Sequence, residues 1–176
     1  MALINTTTTG VLGSTFYGDG SGDLTVQKDG VTVNKITAAP TFSAYAGTTT
    51  TLTAATDVKI VFDTEIFDTN NNFASSRFTP TVAGYYQINA NANMNYWNGI
   101  IYSILIYKNG SAYQYGQTVP PQTTGGVRAS VSSIVYCNGS TDYIEIYGWQ
   151  YAASVNNVVN AGSSSTWFNG ALLRAA

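Results

Sequence analysis

The sequence has no histidine and a single cysteine, and charged residues make up only 9% of its 176 positions. Without histidine, the chain cannot form a Ser-His-Asp triad, a Cys-His dyad or a zinc site that includes an imidazole. A single cysteine, Cys137, excludes a disulfide within the chain, and no histidine is present to activate it. We therefore expect a buried, inert thiol and a non-enzymatic protein with no cofactor and no bound metal.

Charge of either sign is scarce, with seven Lys and Arg against nine Asp and Glu and a net charge of −2. The basic residues are scattered along the chain, so no basic stripe is present to neutralise nucleic-acid phosphates. No segment reaches the roughly 18 apolar residues that span a bilayer. The start, MALINTTTTG, lacks the cationic and apolar regions of a secretory signal. We therefore expect neither a nucleic-acid partner nor a membrane partner.

Apolar and aromatic residues are plentiful, at 44% and 13% of the chain, and they alternate with polar residues in most segments. This period of two, interrupted by Gly and Asn turns, predicts an all-β protein. The number of segments fits a double-sheet jelly-roll β-sandwich. The predicted strands after Pro40 are Thr41–Ala46, Val58–Phe67, Phe73–Thr79, Tyr85–Tyr96, Ile100–Lys108, Ala112–Thr118, Val127–Cys137, Asp142–Tyr151 and Thr166–Leu173.

Residues 1–39 differ in pattern from the rest of the chain. Asp29-Gly30 lies between two alternating β-type runs, from Leu24 to Lys35, which predicts a type I′ β-hairpin. An isolated hairpin is marginally stable in water, so this one needs a surface to lie on. We therefore divide the chain into an N-terminal anchoring arm and hairpin (1–39) and a jelly-roll knob (40–176), with Pro40 at the boundary.

Three polar motifs allow more than one interpretation. Asp19–Asp23 has the glycine-bent character of a calcium loop, but two carboxylates are too few for calcium, and we favour a turn. Asp63, Glu65 and Asp68 form an acidic cluster, which we interpret as a solvated strand edge rather than a glycosidase pair. An amide ladder on Tyr85–Tyr96 could bind sugars, contact another subunit or face solvent in place of charges, and we favour the last. Its members are Gln87, Asn89, Asn91, Asn93 and Asn95.

Six motifs occur in order along residues 40–176: PTFSAYA (Pro40–Ala46), KIVFDTEIFDTNNNF (Lys59–Phe73), RFTPTVAGYYQINANANM (Arg77–Met94), IYKNG (Ile106–Gly110), STDYIEIYGWQ (Ser140–Gln150) and TWFNGALL (Thr166–Leu173). They resemble the motifs of the complement C-one-q globular head, a trimeric jelly roll shared with tumour necrosis factor. No single motif is specific, but their order and spacing together are. The chain departs from that family in lacking its cysteine after the Phe-Thr motif, its acidic calcium ligands and its collagen-like stalk.

This resemblance implies a homotrimer. In such trimers one face of each sandwich packs around the threefold axis through aromatic and small residues. Tyr and Trp are also enriched in buried interfaces generally. The interface candidates are Tyr85, Tyr102, Tyr113, Tyr115, Trp149 and Trp167.

The Thr-, Asn- and Gly-rich composition and the style of the N-terminal segment resemble those of bacteriophage virion proteins. Complement-head-like domains occur there in capsid decoration proteins and in tail fibres. We therefore expect a trimeric capsid decoration (cement) protein on the capsid exterior. It would clamp neighbouring capsid subunits, with the major capsid protein or another virion protein as its partner. The docking candidates are Leu3, Ile4, Val11, Leu12, Phe16 and Tyr17.

The alternative is a receptor-binding knob of a short tail fibre that recognises a host surface glycan through exposed loops. A secreted ligand of the complement-head type is a third class, which the absence of a signal sequence and of a stalk disfavours. The contact residues of the receptor-binding alternative are Tyr96, Trp97, Asn98, Tyr151, Asn156 and Asn157.

Overall fold

A computed structural model describes residues 15–17, 24–28, 31–36, 39–95, 100–120, 127–151 and 157–176. Every regular element in these ranges is a β-strand. Within them there is no helix long and apolar enough to cross a membrane. The chain divides into two compact units, Met1–Ala39 and Pro40–Ala176.

The first unit contains a three-stranded antiparallel sheet. Its strands are β1 (Thr15–Tyr17), β2 (Leu24–Lys28) and β3 (Val31–Ile36), in the order β1-β2-β3. Because β2 and β3 pair from Lys28 opposite Val31 to Leu24 opposite Ile36, the predicted hairpin is confirmed. Its turn residues, Asp29 and Gly30, lie outside the described residues. The sequence pattern did not predict β1.

The second unit is a sandwich of two sheets whose strand pairs are all antiparallel, so the predicted all-β jelly-roll architecture is confirmed. Its strands are β4 (Thr41–Tyr45), β5 (Thr50–Leu52), β6 (Val58–Lys59), β7 (Thr64–Asp68), β8 (Phe73–Ala74), β9 (Arg77–Phe78), β10 (Gly84–Met94), β11 (Ile101–Lys108), β12 (Ser111–Val119), β13 (Val127–Cys137), β14 (Ile144–Tyr151), β15 (Asn157–Val159) and β16 (Trp167–Ala175).

One sheet has seven strands in the order β5-β15-β10-β16-β4-β7, with β13 also paired to β10. The other has six, in the order β12-β11-β14-β9-β8, with β6 also paired to β14. A hydrophobic core lies between the sheets. It includes the side chains of β10 that alternate with the amide ladder, namely Tyr86, Ile88, Ala90, Ala92 and Met94. At its centre the ring of Phe42 stacks on Phe78 with centroids 4.3 Å apart and meets Phe168 edge-on at 4.8 Å.

The predicted strand Val58–Phe67 is wrong in one respect, because the chain changes sheet within it. Strand β6 joins the six-stranded sheet and β7 joins the seven-stranded sheet. In the crossing segment, side chains replace the strand ladder: the Val61 amide donates to Thr50 Oγ1 (2.9 Å) and the Phe62 amide to Ser76 Oγ (2.8 Å). From Ile60 to Asp63, buried and exposed side chains alternate as they would in one continuous strand, so alternation does not reveal the change of sheet.

The predicted strand Phe73–Thr79 is also corrected, because it is a tight hairpin of β8 and β9. Ser75 and Ser76 turn the chain with φ angles of 51° and 58°, a region that residues other than glycine seldom adopt. Ser76 is buried, and its hydroxyl donates to the Phe62 carbonyl (3.2 Å). The contact with the crossing segment therefore holds this turn in place.

Candidate assembly surface

The outward face of the seven-stranded sheet is built by the register of its central strands. Successive side chains of a strand point to opposite faces, and the intervening residues of β10 are buried in the core. The remaining side chains of β10 therefore point outward together with those opposite them on β13 and β16. The outward pairs of β10 and β13 are Tyr85 with Tyr136, Gln87 with Ile134, Asn89 with Ser132, Asn91 with Ser130 and Asn93 with Arg128.

Three side chains of the amide ladder, those of Gln87, Asn89 and Asn91, are hydrogen-bonded within the protomer. Ser132 Oγ donates to Asn89 Oδ1 (2.8 Å), and Asn89 Nδ2 donates to Asn169 Oδ1 (3.2 Å), so one amide joins β13, β10 and β16. Gln87 Nε2 donates to Ser132 Oγ (2.9 Å) and to Asn89 Oδ1 (3.1 Å). Because these amides already pair with one another and with Ser132, fewer of their hydrogen-bonding groups are left to bind sugar hydroxyls.

Asn91 is bonded on both sides and is only 9% exposed. Its Oδ1 accepts from Ser130 Oγ (2.8 Å), and its Nδ2 donates to the carbonyl oxygen of Ser165. A buried amide with both ends paired stabilises one side-chain orientation. The paired amides thus form a rigid centre to the face, at which Gln87 and Asn89 are half-buried and Asn91 is buried, whereas Asn95 is exposed.

One end of this face is apolar. Tyr85, Ile134, Tyr136 and Leu173 are 46%, 54%, 41% and 55% exposed. The rings of Tyr85 and Tyr136 lie opposite each other, with centroids 5.4 Å apart and planes inclined by 58°. Contiguous exposed apolar side chains indicate an interaction surface, whereas isolated ones do not. We call these four residues the apolar end.

The face carries very little charge. Among the outward positions of β10, β13 and β16, the charged side chains are Arg128, opposite Asn93, and Arg174, opposite Tyr85. In a symmetric oligomer the same surface of each copy approaches the axis, where like charges would repel. Charged residues are also depleted from interface centres. The centre of this face, between the two arginines, is therefore suited to contact with further copies of the same chain.

Comparison with known proteins identifies the fold. No family model and no curated protein sequence matches the chain. Among solved structures, the chain is similar to the globular domain of the zebrafish complement 1qA protein, with a TM-score of 0.53 and 16% identity over 78% of this chain and 99% of that one. It is also similar to murine APRIL (TM-score 0.56, 6% identity, 77% and 99% covered) and to the Eiger tumour necrosis factor of S. frugiperda (0.56, 6%, 78% and 93%).

The chain has the jelly-roll fold of the complement head and tumour necrosis factor. The resemblance stated from the sequence motifs is thereby confirmed at the level of the fold. At these identities the likeness shows the fold alone. The six proposed interface residues must therefore be judged by where this jelly roll places them.

The jelly roll does not bring those six residues onto one surface. Tyr85 and Trp167 lie on the outward face of the seven-stranded sheet. Tyr113 and Tyr115 lie on β12 and Trp149 on β14, both in the other sheet. Their role in assembly stays a prediction.

The prediction that Tyr102 lies in the trimer interface is wrong. Its side chain is fully buried between the two sheets, and its hydroxyl donates to the carbonyl oxygen of Asn95 (2.6 Å). Burial raises the pKa of Tyr102 to about 12. A side chain enclosed in this way has no surface left for a second subunit, so Tyr102 belongs to the core.

Sequence reasoning missed three residues of the apolar end: Ile134, Tyr136 and Leu173. The signal was present in the predicted strand Val127–Cys137, whose outward positions change from polar to apolar toward its end. Of the docking candidates, Phe16 and Tyr17 lie on β1. Docking stays a prediction, and the remaining candidates, Leu3, Ile4, Val11 and Leu12, lie outside the described residues.

Two residues of the acidic cluster, Asp63 and Asp68, accept hydrogen bonds that stabilise neighbouring turns. Asp63 accepts from the Thr48 hydroxyl (2.6 Å) and the Gly47 amide (2.5 Å), and the Thr48 bond is the main cause of its lowered pKa. Asp68 accepts from the amides of Asn70 (3.2 Å) and Phe73 (2.6 Å). In the part of the chain that the structure describes, no group of three Cys, Asp or Glu side chains is placed to hold a metal ion.

Proposed function

We propose that this protein is a homotrimeric, non-enzymatic structural protein of a bacteriophage particle that decorates the capsid exterior. The fold supports the trimer, because the sequence resemblance is to a trimeric jelly roll. The His-free, Thr-, Asn- and Gly-rich composition supports the virion setting. The localisation on the capsid is part of the proposal.

The observation that carries the proposal is the outward face of the seven-stranded sheet. It combines a rigid, self-paired and uncharged amide centre with the exposed apolar end. Three copies meeting through this face would bury the apolar end, and the centre of the contact would contain no charged side chain. Tyr85 and Trp167 are the earlier interface candidates that this arrangement retains.

Trimerisation explains how a small protein would strengthen a shell. Three weak footprints joined in one rigid body act at a high effective concentration. Because the trimer would bind the assembled shell only, the shell gains stability by mass action. The scarcity of charge makes hydrogen bonds and strand addition the expected contacts. Binding to the major capsid protein, or to another virion protein, should therefore depend weakly on salt.

A receptor-binding knob of a short tail fibre is the second candidate function. One observation favours it: Tyr151, one of its predicted contacts, is 60% exposed at the end of β14. The other predicted contacts, Tyr96, Trp97, Asn98 and Asn156, lie outside the described residues, while Asn157 begins β15.

The experiment that separates these functions is to purify the particle, count copies of this chain against the major capsid protein, and image their positions. Decoration predicts many copies in a fixed ratio to the capsid protein, spread over the shell lattice. A few trimers confined to one vertex would contradict decoration and leave receptor binding as the function. As a matched control, particles are stripped of the protein and reloaded with a Tyr136→Asp variant. This control tests whether binding to the shell requires trimer formation.

A further inference from the structure

The outward face of the six-stranded sheet contains a groove of about 520 Å³. Strand β11 runs along it, with β12 and β14 on either side. Ser103 of β11 has Thr118 opposite on one side and Trp149 opposite on the other, and Leu105 has Tyr115 opposite. The two aromatic side chains therefore rise from different strands on either side of a fully buried leucine floor.

We propose that this groove binds a neutral carbohydrate, with a pyranose ring seated against Trp149 and Tyr115. A pyranose presents flat patches of C–H bonds, which pack on the apolar faces of indole and phenol rings. It also presents hydroxyl groups at its rim, which need hydrogen-bond partners. The volume lies within the range of about 300–1,000 Å³ typical of small-molecule sites.

The polar groups of the groove match those hydroxyls. Asp57 Oδ2 accepts from the Tyr107 hydroxyl, whereas its Oδ1 has no hydrogen bond to any described residue. An ionised carboxylate only accepts hydrogen bonds, so Asp57 Oδ1 can accept a hydrogen bond that a sugar hydroxyl donates. Ser103 Oγ and Thr118 Oγ1 lie 2.7 Å apart, and each hydroxyl can still accept a further hydrogen bond.

Charge and hydrogen bonding favour this ligand over others. The lining contains Asp57 and no Lys or Arg, so acidic sugars and phosphates would be repelled. Proline-rich peptides also dock in aromatic grooves, but proline has no backbone N–H to donate. Such a peptide would cover Asp57 Oδ1 without providing a donor for it.

The groove is held in shape before any ligand binds. The rings of Tyr107 and Tyr147 stack with centroids 3.8 Å apart, and this fixes the hydroxyl that orients Asp57. Trp149 stacks on Tyr151 with centroids 6.2 Å apart and planes inclined by 30°. A preformed site loses less side-chain entropy on binding. The groove is separate from the apolar end, so its function does not depend on trimer formation or on a virion location.

The test is calorimetric titration of the full-length protein with maltohexaose, cellohexaose, mannohexaose and the hexamer of N-acetylglucosamine, and with a proline-rich decapeptide. We expect saturable binding of at least one oligosaccharide and none of the peptide. Trp149→Ala and Tyr115→Ala should each weaken that binding at least about tenfold. Asp57→Asn should also weaken it, although asparagine can still accept from the Tyr107 hydroxyl.

Tyr113→Ala is the matched control. Tyr113 lies on the same strand as Tyr115 and is 48% exposed, but it does not line the groove. Its replacement should leave binding unchanged, and thermal unfolding should show that each variant folds. Tyr115 is 67% exposed, so its replacement should not prevent folding. If Trp149→Ala fails to fold, the Tyr115→Ala variant therefore tests the proposal. Three results would each overturn the proposal: no oligosaccharide binding, binding that Tyr115→Ala leaves intact, or binding of the peptide alone.

Discussion

The ring of Phe42 fills the space beside Gly170 that a side chain at that position would need. A Cβ at residue 170 would lie 2.8 Å from Phe42 Cε1 and 2.9 Å from Ile88 Cδ1. Phe42 in turn stacks on Phe78 and meets Phe168 edge-on at the centre of the core. The glycine in the motif TWFNGALL thus has a packing role, since it leaves room for the phenylalanine ring against β16.

We predict that Gly170→Val lowers the free energy of unfolding by about 1–3 kcal/mol, because an added side chain overpacks the core and displaces Phe42. Urea denaturation, followed by fluorescence, measures the change. Ala112→Val is the control, because Ala112 is exposed on β12, where a β-branched residue is tolerated. Equal stability of the two variants would show that the core accommodates the extra volume.

Glu145 links three elements of the six-stranded sheet. It is 3% exposed and accepts from Lys59 Nζ (2.7 Å) and Arg77 Nε (2.9 Å). Glu145→Gln keeps the shape but leaves both cations without their anion. Because Lys59 and Arg77 are partly exposed and remain solvated, we predict a loss of roughly 1–3 kcal/mol in the free energy of unfolding.

The same carboxylate makes stability depend on pH. Burial raises the pKa of Glu145, but the hydrogen bonds and charges of Lys59 and Arg77 outweigh burial and hold it below the ordinary value of 4.5. Its stabilising contribution is therefore fully present above pH 4.5 and is lost as the pH falls through the lower pKa of the folded state. The unfolding temperature of the native protein should fall below that pH, and less steeply in Glu145→Gln. Parallel profiles for the two proteins would contradict this assignment.

Cys137 is predicted to be unreactive in the folded protein. Its side chain is fully buried, and burial raises the pKa of the thiol to about 11, so the nucleophilic thiolate is scarce at neutral pH. Iodoacetamide at pH 8 should leave the mass of the native protein unchanged and add one carbamidomethyl group after unfolding in guanidinium chloride. Rapid labelling of the native protein would show that Cys137 is accessible.

The sequence predicted the fold well where one strand stays in one sheet. The alternation of Tyr86, Ile88 and Ala90 with amides set the inward face of β10, and the structure places those residues in the core. It failed at the crossing segment because burial alternates in the same way whether or not a strand changes sheet. There the deciding bonds come from Thr50 and Ser76, which are distant in sequence from the amides they satisfy.

The candidate site was less predictable than the fold. Aromatic residue type alone selected Tyr102 together with Tyr85, although one is enclosed and the other exposed. Which of two outward faces a tyrosine occupies depends on strand pairing over long sequence distances. The groove at Trp149 was missed for the same reason, because its lining comes from three strands and a loop.

The central claim is that copies of this chain associate through the outward face of the seven-stranded sheet. The most direct measurement is the solution mass by light scattering, for the native protein and for Tyr136→Asp. Ile66→Asp is the control, because Ile66 is 58% exposed on the edge strand β7, outside the apolar end. The native protein and the control should have three times the 18.7 kDa chain mass, and Tyr136→Asp should have the mass of one chain. A monomeric native protein, or a Tyr136→Asp variant that remains trimeric, would contradict the account.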